Sequence, residues 1–121
     1  MKKATENSPN IVGVKSEGTL TITGRSYPED ALSFYTPVAK WLDELIENQP
    51  DAIEVVLDLD YKNTATGIVL SELVKKLTRV QNTRTKVIWK YEPGDVDMLE
   101  FGEDLQSLYG DVLELVASNA N

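Results

Sequence analysis

The chain has 121 residues, 41% hydrophobic and 26% charged, the balance of one globular domain around a single core. Its 12 basic and 20 acidic residues leave a formal charge of −8, a surface that repels phosphate backbones, so nucleic-acid binding is not expected. Cys and His are both absent, which excludes disulfides and thiolate metal sites and removes the commonest general base; only a hard-cation site built of oxygens stays open.

Residues 1–10 carry two lysines with no apolar segment behind them. They read as a flexible polar tail rather than a signal peptide, with one domain spanning 11–121. No apolar run approaches the ~18 residues of a membrane span, and a cytoplasmic location is the simplest reading. Residues 11–14 and 19–23 are β-prone. Lys15-Ser16-Glu17-Gly18 between them predicts a hairpin, with Leu20 and Ile22 facing the core.

Ser26-Tyr27-Pro28-Glu29-Asp30 opens a helix, since Pro in a first turn loses no hydrogen bond and the acids suit the positive end of the dipole. Ala31, Tyr35, Val38, Leu42 and Leu45 then recur at helical spacing. Pro37 inside the pattern predicts a kink, or a short helix ending near Ser33 and a second starting at Thr36.

Ile53, Val55, Leu57 and Leu59 alternate with Glu54, Val56, Asp58 and Asp60. Val56 makes the middle apolar on both faces, the pattern of a strand covered on both sides. A small polar turn follows, Tyr61-Lys62-Asn63-Thr64-Ala65-Thr66-Gly67. The next helix has its stripe at Val69, Leu70, Leu73, Val74, Leu77 and Val80, with Lys75 and Lys76 toward solvent. Residues 85–91 form a strand with Val87, Trp89 and Tyr91 on one face. Met98, Phe101, Leu105 and Leu108 mark a third helix, in which Gly102 is a weak point worth about 1 kcal/mol relative to Ala. Residues 112–116 close the chain as a strand, a last helix being the alternative. The order predicts a single-domain α/β fold: a mixed sheet of four or five strands packed with about three helices.

Two features bear on function. Asp58 and Asp60 leave one strand on the same side, about 6–7 Å apart. Without a third ligand in view they read as solvated acids before they read as a metal site. Asn63 and Thr64 precede a helix, and either side chain serves as an N-cap. A cap accounts for one of them. It leaves Thr64-Ala65-Thr66-Gly67 as small residues around two hydroxyls, open to a partner or a modifying enzyme. No phosphate loop, dinucleotide fingerprint or nucleophile elbow occurs, so no catalytic residue and no cofactor is expected.

Gly24-Arg25-Ser26-Tyr27-Pro28-Glu29-Asp30, Phe34-Tyr35, Pro37-Val38, Trp41-Leu42, Leu57-Asp58-Leu59-Asp60-Tyr61 with Asn63-Thr64, and Val87-Ile88-Trp89-Lys90-Tyr91 together resemble the SiaC family of bacterial regulatory phosphoproteins. The resemblance covers roughly residues 11–108. It implies a fold like that of anti-sigma factor antagonist (STAS-like) domains and no enzymatic activity. It also implies a threonine after the central strand that a dedicated protein kinase phosphorylates and a PP2C-type phosphatase restores. The unphosphorylated form would bind and activate a diguanylate cyclase and so promote biofilm formation. Carried onto this sequence, the acceptor is Thr64. Ala65-Thr66-Gly67 departs from the family's pattern and makes Thr66 a rival. The partner surface is expected to take in Asn63, Thr64 and Thr66, and to extend along the helix toward Lys75 and Lys76. Two other readings stand beside this one: an anti-sigma antagonist that switches partners, and a small oxygen-ligand metal-binding domain around Asp58 and Asp60.

Overall fold

Every second residue of the core strands is apolar, and that alternation decides which face of the sheet is covered. In the computed structural model, which describes residues 1–118, strands β1 (Asn10–Val14), β2 (Thr19–Ser26), β3 (Ala52–Lys62), β4 (Arg84–Tyr91) and β5 (Leu113–Ala117) lie side by side in chain order. β1 and β2 are antiparallel, while β2 to β5 run parallel. Each parallel connection carries a helix: α1 (Ala31–Glu47), α2 (Thr64–Thr78) and α3 (Val96–Tyr109). Right-handed crossovers that step in one direction leave all their helices on one side. Burial agrees. Leu20, Ile22, Ile53, Val55, Leu57, Val87 and Trp89 are covered, whereas Thr21, Val56 and Ile88 on the opposite face stay partly open.

This is the expected mixed α/β domain, with five strands, three helices and a strand at the C-terminal end. Val56 is the exception in β3. Its flanking residues on that face, Glu54 and Asp58, are charged, and no helix packs there among the described residues, so one apolar side chain does not make a covered face. No helix among the described residues is long and apolar enough to cross a membrane.

Local structure departs from the sequence reading at four further points. The first ten residues are not a free tail: Lys2 exchanges backbone hydrogen bonds with Ile11, the Tyr27 N–H reaches the Asn7 carbonyl, and Ser8 is buried. α1 runs unbroken through Pro37, because the carbonyl this residue leaves without a donor belongs to solvent-exposed Ser33. Asp30 caps α1, accepting from the Ser33 N–H at 3.1 Å, and this bond holds its carboxyl below the usual range. Leu108 is exposed, and Tyr109 takes the inward position at the end of α3, its hydroxyl 3.1 Å from that of Ser71.

The fourth point is Gly102, where helix propensity and packing oppose each other. Trp89 is fully buried, and its indole N–H donates to the Met98 carbonyl at 2.9 Å. α3 therefore lies so close to β4 that a Cβ on Gly102 would stand 2.5 Å from Trp89 Cδ1 and 2.7 Å from Leu115 Cδ2. Propensity alone gives Gly102→Ala a gain of about 1 kcal/mol. Overpacking costs about 1–3 kcal/mol and wins. Urea unfolding of Gly102→Ala should show a lowered midpoint; a raised one would mean that the tryptophan has room to move.

Candidate functional site

The junction of β3 and α2 is a single residue. β3 runs to Lys62 and α2 begins at Thr64, so the seven-residue polar turn expected from sequence shrinks to Asn63. Two devices make this close join work. The first is a β-bulge: in the β2–β3 register Gly24 pairs with Leu59 and Arg25 with Tyr61, leaving Asp60 as the extra residue. The bulge ends the alternation that would place Asp60 beside Asp58 on one face. It also turns Lys62, not Tyr61, to the side of buried Ser26, which is the helix side. Tyr61 meets Tyr27 edge to face, with ring centroids 5.6 Å apart.

The second device is the cap. The Asn63 carboxamide oxygen accepts the Thr66 N–H at 2.8 Å, so Asn63 is the N-cap of α2. The Asn63 N–H in turn donates to the Ser26 carbonyl at 3.0 Å. Thr64, the first residue of the helix, is exposed, and its hydroxyl stands outside the hydrogen bonds that hold the turn.

Thr66 is the correction. Expected on the accessible turn, it has 0% exposure. Its hydroxyl donates to the Ser26 carbonyl at 3.1 Å and lies 3.0 Å from the Ser26 hydroxyl, which is itself 2.7 Å from the Tyr35 hydroxyl. Sequence reasoning missed this because a threonine two residues after a helix start looks alike whether it faces water or the sheet. The buried partners Ser26 and Tyr35 are 40 and 31 positions away in the chain. Burial pushes the Tyr35 phenol above its ordinary value, and the Ser26 hydrogen bond offsets part of that.

On the α3 side Thr64 shares a shallow groove with Lys62, Ile68 and Phe101. The Lys62 ammonium lies 3.8 Å from the Phe101 ring centroid, a cation–π contact. Burial lowers its pKa and nearby Asp97 raises it, the first being the larger effect. Neither Lys62 nor Phe101 was legible as a site residue, because the bulge that aims Lys62 leaves no pattern in the strand. Lys75 and Lys76 lie farther along α2, in the groove against α1, and Lys76 pairs with Asp43 at 2.7 Å. Lys75 stands eleven positions beyond Thr64, about 16 Å along the axis. Asp58 and Asp60 gather no third ligand: among the described residues no cluster of carboxylates could hold a metal.

The fold and this junction define a single-domain α/β protein whose mixed sheet presents an exposed hydroxyl at a helix head. The chain belongs to the SiaC family of regulatory phosphoproteins, whose sequence pattern matches residues 2–117. A chain in the crystal structure of the diguanylate cyclase SiaD in complex with its activator SiaC, from Pseudomonas aeruginosa, superposes with a TM-score of 0.87. It is 22% identical, over 95% of this chain and 96% of that one. Apo-SiaC of the same organism gives a TM-score of 0.86 at 22% identity over 96% of each chain. An uncharacterised protein of Pseudomonas aeruginosa (strain UCBPP-PA14) is 24% identical over 104 residues, 84% of this chain and 82% of its own length.

The geometry separates neighbouring residues by what they hold. Asn63→Ala should cost about 1 kcal/mol by removing the cap. Thr64→Ala should stay within about 0.5 kcal/mol of the native protein. Thermal melts of the two variants test this ordering, and equal losses would return a structural role to Thr64.

Tyr35 supplies a pH signature. Its pKa is raised from 10.0, so above that value the unfolded chain gives up a proton that the folded chain keeps. The stability conferred by the Tyr35 hydroxyl is therefore complete below about pH 10 and declines above it. Tyr35→Phe should melt below the native protein at neutral pH, by about 1 kcal/mol for the lost hydrogen bond, and the gap should narrow as pH rises past 10. A gap independent of pH would mean that the phenol does not titrate against folding.

Proposed function

We propose that this protein is a non-enzymatic activator of a diguanylate cyclase, switched by phosphorylation of Thr64. A protein kinase replaces the hydroxyl proton with a phosphoryl group, a PP2C-type phosphatase hydrolyses the ester, and the unmodified form docks on the cyclase. The observation that carries this reading is the division of labour at the junction: Asn63 caps α2, Thr66 is buried, and Thr64 is exposed with its hydroxyl free of the turn's hydrogen bonds. A kinase needs an accessible hydroxyl whose loss does not unfold its substrate, and Thr64 meets both conditions where Thr66 meets neither. Membership of a family of regulatory phosphoproteins supports the modification, and the cyclase–activator complex of a structurally similar protein supports the partner.

Local physics favours a switch read at the surface. A phosphate on the first residue of α2 meets the free N–H groups and positive dipole end, worth about 0.5–2 kcal/mol. Lys62 in the adjoining groove adds a counter-charge. The fold accepts the group, so the cost falls on any protein that must bury a near-dianion against this end of α2.

The test uses the diguanylate cyclase and the kinase of the same organism. Thr64→Ala should still bind the cyclase and raise its output of cyclic di-GMP, and should take up no phosphate. Thr64→Glu should bind about 30-fold more weakly, roughly 2 kcal/mol. Mass spectrometry after kinase treatment should find one phosphate on Thr64, with Thr66→Ala modified normally if it folds. Equal cyclase binding by native protein and Thr64→Glu, or modification elsewhere, would overturn the reading. Capture of a sigma-regulating kinase in place of a cyclase would move the protein to the anti-sigma antagonist class.

A further inference from the structure

We propose that the groove between α1 and α2 seats an acidic amphipathic helix supplied by the protein partner. The proposal rests on the reading that a partner docks at the Thr64 end of the sheet, and it specifies the chemistry of the segment that does so. The groove encloses about 500 Å³. Its upper end is apolar: Leu32 of α1 and Ile68 of α2 line it while 72% and 63% exposed, the largest fractions among the bulky apolar side chains of the described residues after Leu108 is set aside. Such exposure is costly in water and suits a contact. Ala39, Val69 and Leu73 also line it.

The other end is basic. Lys40, Lys75, Lys76 and Arg79 line it against Asp43 and Glu72, a net excess of two positive charges on a chain whose formal charge is −8. Lys76 is answered by Asp43 at 2.7 Å. Lys40, Lys75 and Arg79 make no ion pair among the described residues. One third of the chain's 12 basic residues therefore gather along one groove. They attract a carboxylate-bearing segment of a protein partner.

Dimensions select a helix. From Ile68 to Arg79 α2 rises about 16 Å, the length of roughly three helical turns. A helix of that length offers apolar side chains at i, i+3 and i+7 to the end near Leu32 and Ile68, and carboxylates to the lysines and arginine beyond. Polarity fits as well. Acidic residues favour the first turn of a helix, so the partner helix would run antiparallel to α2, its N-terminus at Arg79 and its apolar end toward Thr64. Thr64 and Ile68 are four residues apart on α2 and share a face. A phosphate there stands against the apolar end of the seat, where an occupant's apolar side chains would have to cover a near-dianion.

The test reads binding without a cyclase. The full-length ¹⁵N-labelled protein is titrated with a stapled helical peptide of about 12 residues, leucines on one face and glutamates on the other, and with its lysine counterpart. The glutamate peptide should shift the amides of Leu32, Ile68, Lys75 and Arg79 and bind on the order of tenfold tighter than the lysine peptide. The double variant Lys75→Glu/Arg79→Glu, checked for an unchanged melting temperature, should invert that preference. Equal affinity for both peptides, or shifts confined to the uncovered sheet face, would overturn the proposal. In a second arm the same double variant is offered to the cyclase. Lost binding supports the groove as the seat. Retained binding overturns it and leaves the Thr64 switch standing. A native protein that binds the glutamate peptide in the groove but no cyclase keeps the seat and defeats the cyclase reading.

Discussion

Ser26 is the joint on which the rest depends. Its carbonyl receives two donors, the Asn63 N–H and the Thr66 hydroxyl, and its own hydroxyl sits between those of Thr66 and Tyr35. Four elements meet there: the last residue of β2, the first half of α1, the end of β3 and the first turn of α2. In a buried site each of these polar atoms is obliged to find a partner, and each has one. The position of α2's first residue is therefore set by a buried hydrogen-bond network rather than by the length of a loop. Removing one hydroxyl would leave another unsatisfied, which is why a small serine deep in an apolar core has more consequence than its size suggests.

The sequence was informative where one periodic signal ruled and silent where two devices competed. The stripe Ala31, Tyr35, Val38, Leu42 and Leu45 corresponds residue for residue to the buried face of α1, because a 17-residue helix against a sheet leaves no other way to hide those side chains. The alternation in β3 likewise held from Ile53 to Leu59. It failed at Asp60, where one extra residue reverses which side chains face the helices, and periodicity carries no mark of a bulge. The same failure hid Lys62. Thr64 was legible as a helix-head hydroxyl, but its distinction from Thr66 rests on long-range contacts that a local pattern does not contain. Gly102 shows the converse error, in which an intrinsic preference was read without the tryptophan pressed against it.

Charge is distributed against the average. The excess of acid belongs largely to the outer surfaces, including Glu54 and Asp58 on the uncovered sheet face and Glu100, Glu103 and Asp104 on α3. The lysines and arginine of the α1–α2 groove form an island within it. A net charge describes how the protein behaves toward a distant polyanion, and an island describes what it holds at contact. The two scales differ because screening in physiological salt acts within about 8 Å, less than the length of the groove.

The one-residue junction between β3 and α2 has a consequence for time. A loop of several residues would let a modified helix head swing, and the two chemical states would then differ in shape and interconvert through a slow rearrangement. Asn63 offers no such slack: a hydrogen bond holds it on either side, to Ser26 behind and to Thr66 ahead. Under the proposed modification, a group added at this head would leave the backbone where it was, and the two states would superpose and differ only in the field they project. Such a signal would be read at the first encounter, with no refolding step between it and its receiver.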